Sequence, residues 1–173
     1  MSIREYLASM DAVMNRSMST WGASKPTTPY KSMHDFVLDR GVEAVSSPLT
    51  DGERAVVQSA MRGLKVEMKQ CFVNAQQLVM ADGTGTLVYN EGWACGGFVT
   101  THHGWATING KVVDVTWNVD GNPVMGTIPD GWAYLGVRFD RDAIPRRFGS
   151  IIDDPTHGWP VLRWSRTGVH PAA

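Results

Sequence analysis

Five side chains in this 173-residue chain have types and spacing that can do chemistry: Cys71, Cys95, His102, His103 and Asp114. Thiol, imidazole and carboxylate, in that order, are the parts of a nucleophilic relay. The imidazole takes the thiol proton, and the carboxylate fixes the tautomer of the ring and steadies its cation. The hairpin decides which histidine serves. Asn109-Gly110 is a two-residue turn dipeptide between apolar runs, and it sets Ile108 opposite Lys111. His103 then lies opposite Thr116, Asp114 opposite Trp105, and His102 opposite Trp117. Cross-strand partners share a face. So His103, Trp105, Asp114 and Thr116 lie on one face, and His102, Val113, Val115 and Trp117 on the other. His103 and Asp114 become diagonal neighbours, with Cβ atoms roughly 7–8 Å apart and within side-chain reach. A bulge would reverse the faces. The competing reading is a surface histidine beside a surface aspartate. Against it, a charge in VVDVTW is costly unless paired.

Cys71 opens the run CFVNAQQLVMADG, in which Phe72, Ala75, Leu78 and Val79 fit one helical face and Gly83 ends the pattern. A helix start lowers a thiol pKa through its dipole and free N–H groups. Those N–H groups also form a natural oxyanion hole, to which Gln70 can add a side-chain amide. A buried core cysteine is the plain alternative. Cys95, beside Gly96-Gly97, reads as structural. With a two-residue Gly96-Gly97 turn, Asn90 falls opposite His103, and Asn90 and Trp105 become candidate substrate contacts. Tyr89, Glu91 and Trp93 share a face, with Glu91 read as a loop tether. Adjacent histidines point to opposite faces and suit one metal ion poorly. C-x-x-C, H-x-x-x-H and H-E-x-x-H are absent, leaving only His102, His103 and Cys95 as a metal option. Phosphate loops and the G-x-S-x-G elbow are also absent. Neither a metal nor a cofactor is expected.

The elements that must hold these groups follow from periodicity and caps. Ser2 and Glu5 form a capping box ahead of an amphipathic helix over Ile3 to Met18. Gly22 to Lys31, with Pro26 and Pro29, reads as a loop. Ser32 caps a short helix that Gly41 stops. Thr50 and Glu53 open a helix running to about Val66, with Val56, Val57, Ala60, Met61 and Leu64 inward. After Gly83 the texture changes to strands: Thr86 to Ala94, Phe98 to Ile108, Lys111 to Trp117 and about Trp132 to Phe139. Asp140 is placed to cap a short helix before Pro145. The tail from Ser150 to Ala173 is irregular, with Trp159 and Trp164 as anchors. Helices followed by antiparallel strands are an α+β pattern. The chain reads as one domain: a helical part over 1–68, a core over 69–139 and an extension over 140–173.

Bulk composition bounds the function. A net charge of −1 gives no basic field for nucleic acid or a membrane surface. Two cysteines make no disulfide framework and point to a reducing compartment. The first twenty residues lack a signal-peptide core, and no run of about 18 apolar residues spans a bilayer, so a cytoplasmic place is expected. Seven tryptophans and nine methionines suit an aromatic core, with some rings lining a substrate groove.

In order and spacing these pieces resemble the papain-like cysteine enzymes in their transglutaminase-like form. His103-Gly104-Trp105 and Asp114-Val115-Thr116-Trp117 are similar to that superfamily's H-A-W and D-x-T motifs. Cys71-Phe72 is similar to the nucleophile of arylamine N-acetyltransferases. CFVNA, YNEGWA, HHGW and VVDVTW together resemble a bacterial and phage family of unassigned activity. The resemblance covers about Cys71 to Gly136. It departs from transglutaminases in lacking Trp after the cysteine, and from NlpC-type peptidases in having Asp114 where they carry a second histidine. It implies a helices-on-sheet core and a Cys71–His103–Asp114 triad acting on a peptide, protein or small acyl or amide substrate. A non-catalytic protein-binding module on the same fold is the alternative. Substrate and oligomeric state are not readable from the sequence.

Overall fold

The computed structural model describes residues 2–20, 30, 32–97 and 99–153. Among the described residues four helices are formed: α1 (Ile3–Thr20), α2 (Met33–Arg40), α3 (Asp51–Met61) and α4 (Cys71–Ala81). The strands among the described residues are six, in chain order: β1 (Val42–Glu43), β2 (Val88–Gly96), β3 (Val99–Ile108), β4 (Lys111–Val119), β5 (Asn122–Gly126) and β6 (Ala133–Phe139). They make one antiparallel sheet in the order β1-β6-β2-β3-β4-β5, which gives the α+β class. Among the described residues no helix is long and apolar enough to cross a membrane. The Gly22 to Lys31 loop, apart from Tyr30, and the tail beyond Asp153 with Trp159 and Trp164 lie outside the described residues.

Local chemistry sets the helix ends. Ser2 and Glu5 bond reciprocally at α1, and Thr50 and Glu53 do so at α3, satisfying N–H groups that a helix start leaves free. Ser32 Oγ accepts from Asp35 N–H at α2, and the Gly41 N–H closes that helix on Val37 O. α3 ends at Met61, earlier than the expected Val66. Arg62 N–H turns back to Ser59 O, and Gly63 takes the left-handed region at φ +79, so Val66 falls in the exposed approach to α4. After β6 the chain makes a 3-10 turn, Arg141–Ala143, preceded by Asp140 without a side-chain cap bond.

The hairpin that carries the candidate site forms as its turn dictates. Asn109 (φ 51) and Gly110 (φ 77) are both left-handed, the type I′ geometry that matches strand twist. Ile108 pairs with Lys111, Thr107 with Val112 and Ala106 with Val113. The Glu53 carboxylate accepts from Asn109 Nδ2 (2.9 Å) and Lys111 Nζ (2.8 Å). With the Thr50 N–H, these bonds hold its pKa down to about 2, so the cap of α3 also anchors the hairpin tip.

The other hairpin departs from expectation. Gly96 stays in the strand and pairs with Val99, which sets Gly92 opposite His103 and Asn90 opposite Trp105. Gly96 is needed there for close approach: a Cβ on it would lie 2.9 Å from Trp117 Cζ3. The helix-covered face of the sheet carries Tyr89, Trp93, Ala106, Ile108, Val113, Val115, Leu135 and Val137 into the main core. The opposite face carries Ala94, Trp105, Val112, Val124 and Tyr134 into a second apolar cluster.

Candidate active site

His103 and Asp114 meet as the hairpin register requires. His103 Nε2 lies 2.7 Å from Asp114 Oδ2, and both side chains are almost wholly buried, at 2% and 1% exposure. The carboxylate is fully engaged. Oδ2 also accepts from the Tyr134 hydroxyl at 3.0 Å, and Oδ1 accepts from the N–H groups of Thr116 (2.9 Å) and Trp117 (3.1 Å). Four donors on one carboxylate compensate the desolvation of its charge. Tyr134 belongs to β6, three strands from β4 in the sheet order. Tyr134 pairs with the small Ala94 of β2 and reaches across the intervening strands to make this bond.

The Thr116 and Trp117 bonds mark a break in β4. β3 and β4 pair only from Ala106 to Ile108 and Lys111 to Val113, and the β4–β5 register shifts between Asp114 and Asn118. Asp114 caps the N–H groups that the broken ladder frees. The bulge reverses the faces of the next residues. Trp117, expected on the His102 face, stacks on His103 with ring centroids 4.4 Å apart. Thr116, expected on the His103 face, instead presents Oγ1 to Asn74 Nδ2 of α4 at 3.0 Å. A local side-chain cap has overridden strand alternation here.

The first turn of α4 stands where β3 and β4 part. Phe72 packs on β3 at Gly104, where a Cβ would lie 2.9 Å from Phe72 Cδ1 and 3.1 Å from its Cα, so only glycine admits the helix this closely. Cys71 is thereby brought close enough to His103 to raise the pKa of its imidazole. Its thiol is free and half-buried rather than sealed. Burial by itself would lower the His103 pKa. The hydrogen bond to Asp114, then that to Cys71, and the charges of both raise it to about 9. Tyr134 is pushed well above its usual range, first by burial and then by the charge and hydrogen bond of Asp114. The first helical hydrogen bond runs from Asn74 N–H to Gln70 O, so the N–H groups of Cys71, Phe72 and Val73 precede the ladder. Gln70 is the exposed N-cap residue, its side chain uncommitted to capping.

Two expected substrate contacts are placed otherwise. Asn90 donates to Val88 O (3.0 Å) and Thr107 Oγ1 (2.9 Å) and is buried. It binds strand to strand, opposite Trp105 and not opposite His103. Trp105 is buried at 1% exposure and lies so close over Gly136 that a Cβ there would meet its ring at 2.4 Å. It forms a floor beside His103, with ring centroids 6.3 Å apart.

His102 takes the opposite face, as alternation requires. Its Nε2 lies 3.0 Å from Glu91 Oε1, without the alignment of a hydrogen bond, and its ring stacks on Trp93. Glu91 is the loop tether expected of it: the Ile151 and Ile152 N–H groups, the Ser150 hydroxyl and Tyr89 all donate to its buried carboxylate. Gln76 grips Gly149 through both its N–H and its C=O. Cys95 Sγ points to Gly97 O. Among the described residues no group of three or more His, Cys, Asp or Glu side chains is placed to hold a metal ion. Sequence reasoning missed Tyr134, Asn74 and the true side of Trp117. Only Asn74 left a signal, as one of two polar residues, with Gln76, on the buried side of α4.

Comparison with models of protein families, with curated proteins and with solved structures finds no match.

Proposed function

We propose that this chain is a cysteine-dependent hydrolase or acyltransferase acting on an amide or acyl bond, on a papain-like or transglutaminase-like arrangement. One observation carries the reading: a buried imidazole held by Asp114 through Nε2 while it interacts with the half-buried thiol of Cys71. A histidine held protonated to about pH 9 sets a cation beside the sulfur, the setting that activates a thiol as a nucleophile.

The Cys71 thiolate attacks the carbonyl carbon, and the C=O electron pair moves to oxygen. The Cys71 N–H, with the Gln70 amide turned inward, faces that oxyanion. The His103 cation gives its proton to the leaving amine or alcohol as the tetrahedral centre collapses, leaving an acyl group on Sγ. Water or an amine then attacks the thioester, His103 takes its proton, and Cys71 leaves as the thiolate. Asp114 holds the ring in the tautomer both steps need.

The test is intact-mass analysis after iodoacetamide at pH 5.5, and after a panel of acyl and peptide substrates. Rapid alkylation and an acyl adduct are expected in the parent chain, with both lost in Cys71→Ala. Rapid labelling that survives Cys71→Ala, or a parent thiol that reacts only as a free thiol does near pH 8.5, would remove Cys71 from the mechanism.

A further inference from the structure

We propose that Asn74 is a positioning residue that sets the sulfur–imidazole geometry, an inference that rests on the thiol-enzyme reading. Asn74 sits one turn after Cys71 and is 1% exposed. Its Oδ1 accepts from Glu67 N–H at 3.1 Å, and its Nδ2 donates to Glu67 O at 2.7 Å and to Thr116 Oγ1 at 3.0 Å. One side-chain amide therefore holds both parts of the site. Glu67 belongs to the segment that enters α4, where Lys69 adopts the left-handed region at φ 64 just before the nucleophile. Thr116 belongs to the break in β4, where its own N–H and that of Trp117 fix Asp114. A continuous path runs from Glu67 through Asn74, Thr116 and Asp114 to His103. Along it, the helix bearing the sulfur is registered against the strand bearing the carboxylate that aims the base.

The residue type fits the task. Asparagine is a poor helix-interior residue, because its amide competes for backbone groups. That competition is harnessed here on a backbone outside the helix. Two donors and one acceptor are all used. Aspartate supplies no donor to Glu67 O, and an apolar residue supplies none of the three bonds. Small misplacements between reacting groups lower rates steeply, so a loss here registers in the chemistry of Cys71 and not in folding alone.

The experiment compares Thr116→Val, Thr116→Ser and Asn74→Asp with the parent chain. For each, the rate constant for Cys71 alkylation by iodoacetamide is measured from pH 5 to 10, with a thermal unfolding curve alongside. Thr116→Ser keeps the hydroxyl and is expected to keep the parental profile. Thr116→Val keeps the shape without the hydroxyl, and its alkylation below pH 7 is expected to fall by about tenfold or more. Asn74→Asp is expected to fall at least as far; where it fails to fold, the Thr116 pair decides. An acid-reactive parent with identical profiles in Thr116→Val and Thr116→Ser overturns the positioning role alone, even with a lowered melting temperature. A parent that alkylates as an ordinary thiol overturns the thiol-enzyme reading and this inference together.

Discussion

Asp114→Asn probes the site most directly, because it keeps the shape of the side chain and removes its charge. The N–H groups of Thr116 and Trp117 can still bond to the amide oxygen. The opposite side of the amide then presents hydrogen to His103 Nε2, where the carboxylate accepted. The ring must accept there and carry its proton toward Cys71, the wrong tautomer for a base. A loss of about three to four orders of magnitude in turnover is expected, on the scale known where an aspartate fixes a catalytic imidazole. The ionisation moves too. His103 stands at about 9 against 6.5 for an ordinary histidine, worth about 3 kcal/mol at 1.4 kcal/mol per pH unit. With Asp114 neutral, burial is opposed by Cys71 alone, and the His103 pKa drops toward or below 6.5.

The sign for stability is set by a folded pKa raised above the unfolded one. The contribution is fully present below about pH 6.5 and is lost as pH rises through about 9. The parent therefore loses up to about 3 kcal/mol of this contribution between pH 6 and pH 10, while Asp114→Asn loses little. Imidazole NMR titration and urea unfolding at the two pH values measure both quantities. An Asp114→Asn chain whose His103 still titrates near 9, or whose unfolding free energy declines in parallel with the parent, would refute the reasoning.

Two further outcomes are expected. Gly104→Ala places a Cβ 2.9 Å from Phe72 Cδ1 and 3.0 Å from the Tyr89 hydroxyl, so the first turn of α4 must back away. Urea unfolding should show a loss of about 1–3 kcal/mol, and acid alkylation of Cys71 should slow while the His103–Asp114 contact persists by NMR; an unchanged rate would speak against the close-approach account. Glu91→Gln replaces an acceptor of several N–H and O–H bonds with a group that can face only some of them. Segment 149–153 should then exchange its amide hydrogens faster, at a cost of about 2 kcal/mol, and unaltered protection there would show that the tether lies elsewhere.

The parts of the architecture that depend on neighbours in sequence are legible. Both capping boxes, the Ser32 and Gly41 ends of α2 and the left-handed Asn109-Gly110 turn are local chemistry, and the turn carries the pairing of His103 with Asp114. Asp120-Gly121 is a turn dipeptide of the same kind, with both residues left-handed, yet the strand expectations stop at Trp117 and omit the β5 that it joins to β4, as they omit β1. The features hidden from the sequence depend on contacts between distant elements. Gly96 looks like a turn residue because nothing local discloses that Trp117 leans on it. Trp117 and Thr116 obey strand alternation until Asp114 bonds its own downstream N–H groups. Tyr134 reaches Asp114 across two intervening strands, a contact set by the order of the whole sheet.

The two sides of the proposed site differ in how they are ordered. His103 and Asp114 project from strands and are fixed by backbone and core, so their conformational entropy is surrendered when the sheet folds and not again at each encounter with substrate. Cys71 arrives on a helix entered through a largely exposed segment, 65–70, gripped from inside by a single amide. In the proposed mechanism, a base fixed by the sheet thus faces a nucleophile carried in on an exposed approach. The bonds of Asn74 to Glu67 and to Thr116 tie that short approach to the break in β4 that fixes Asp114, so the seat of the thiol and the seat of the carboxylate are joined through one side chain.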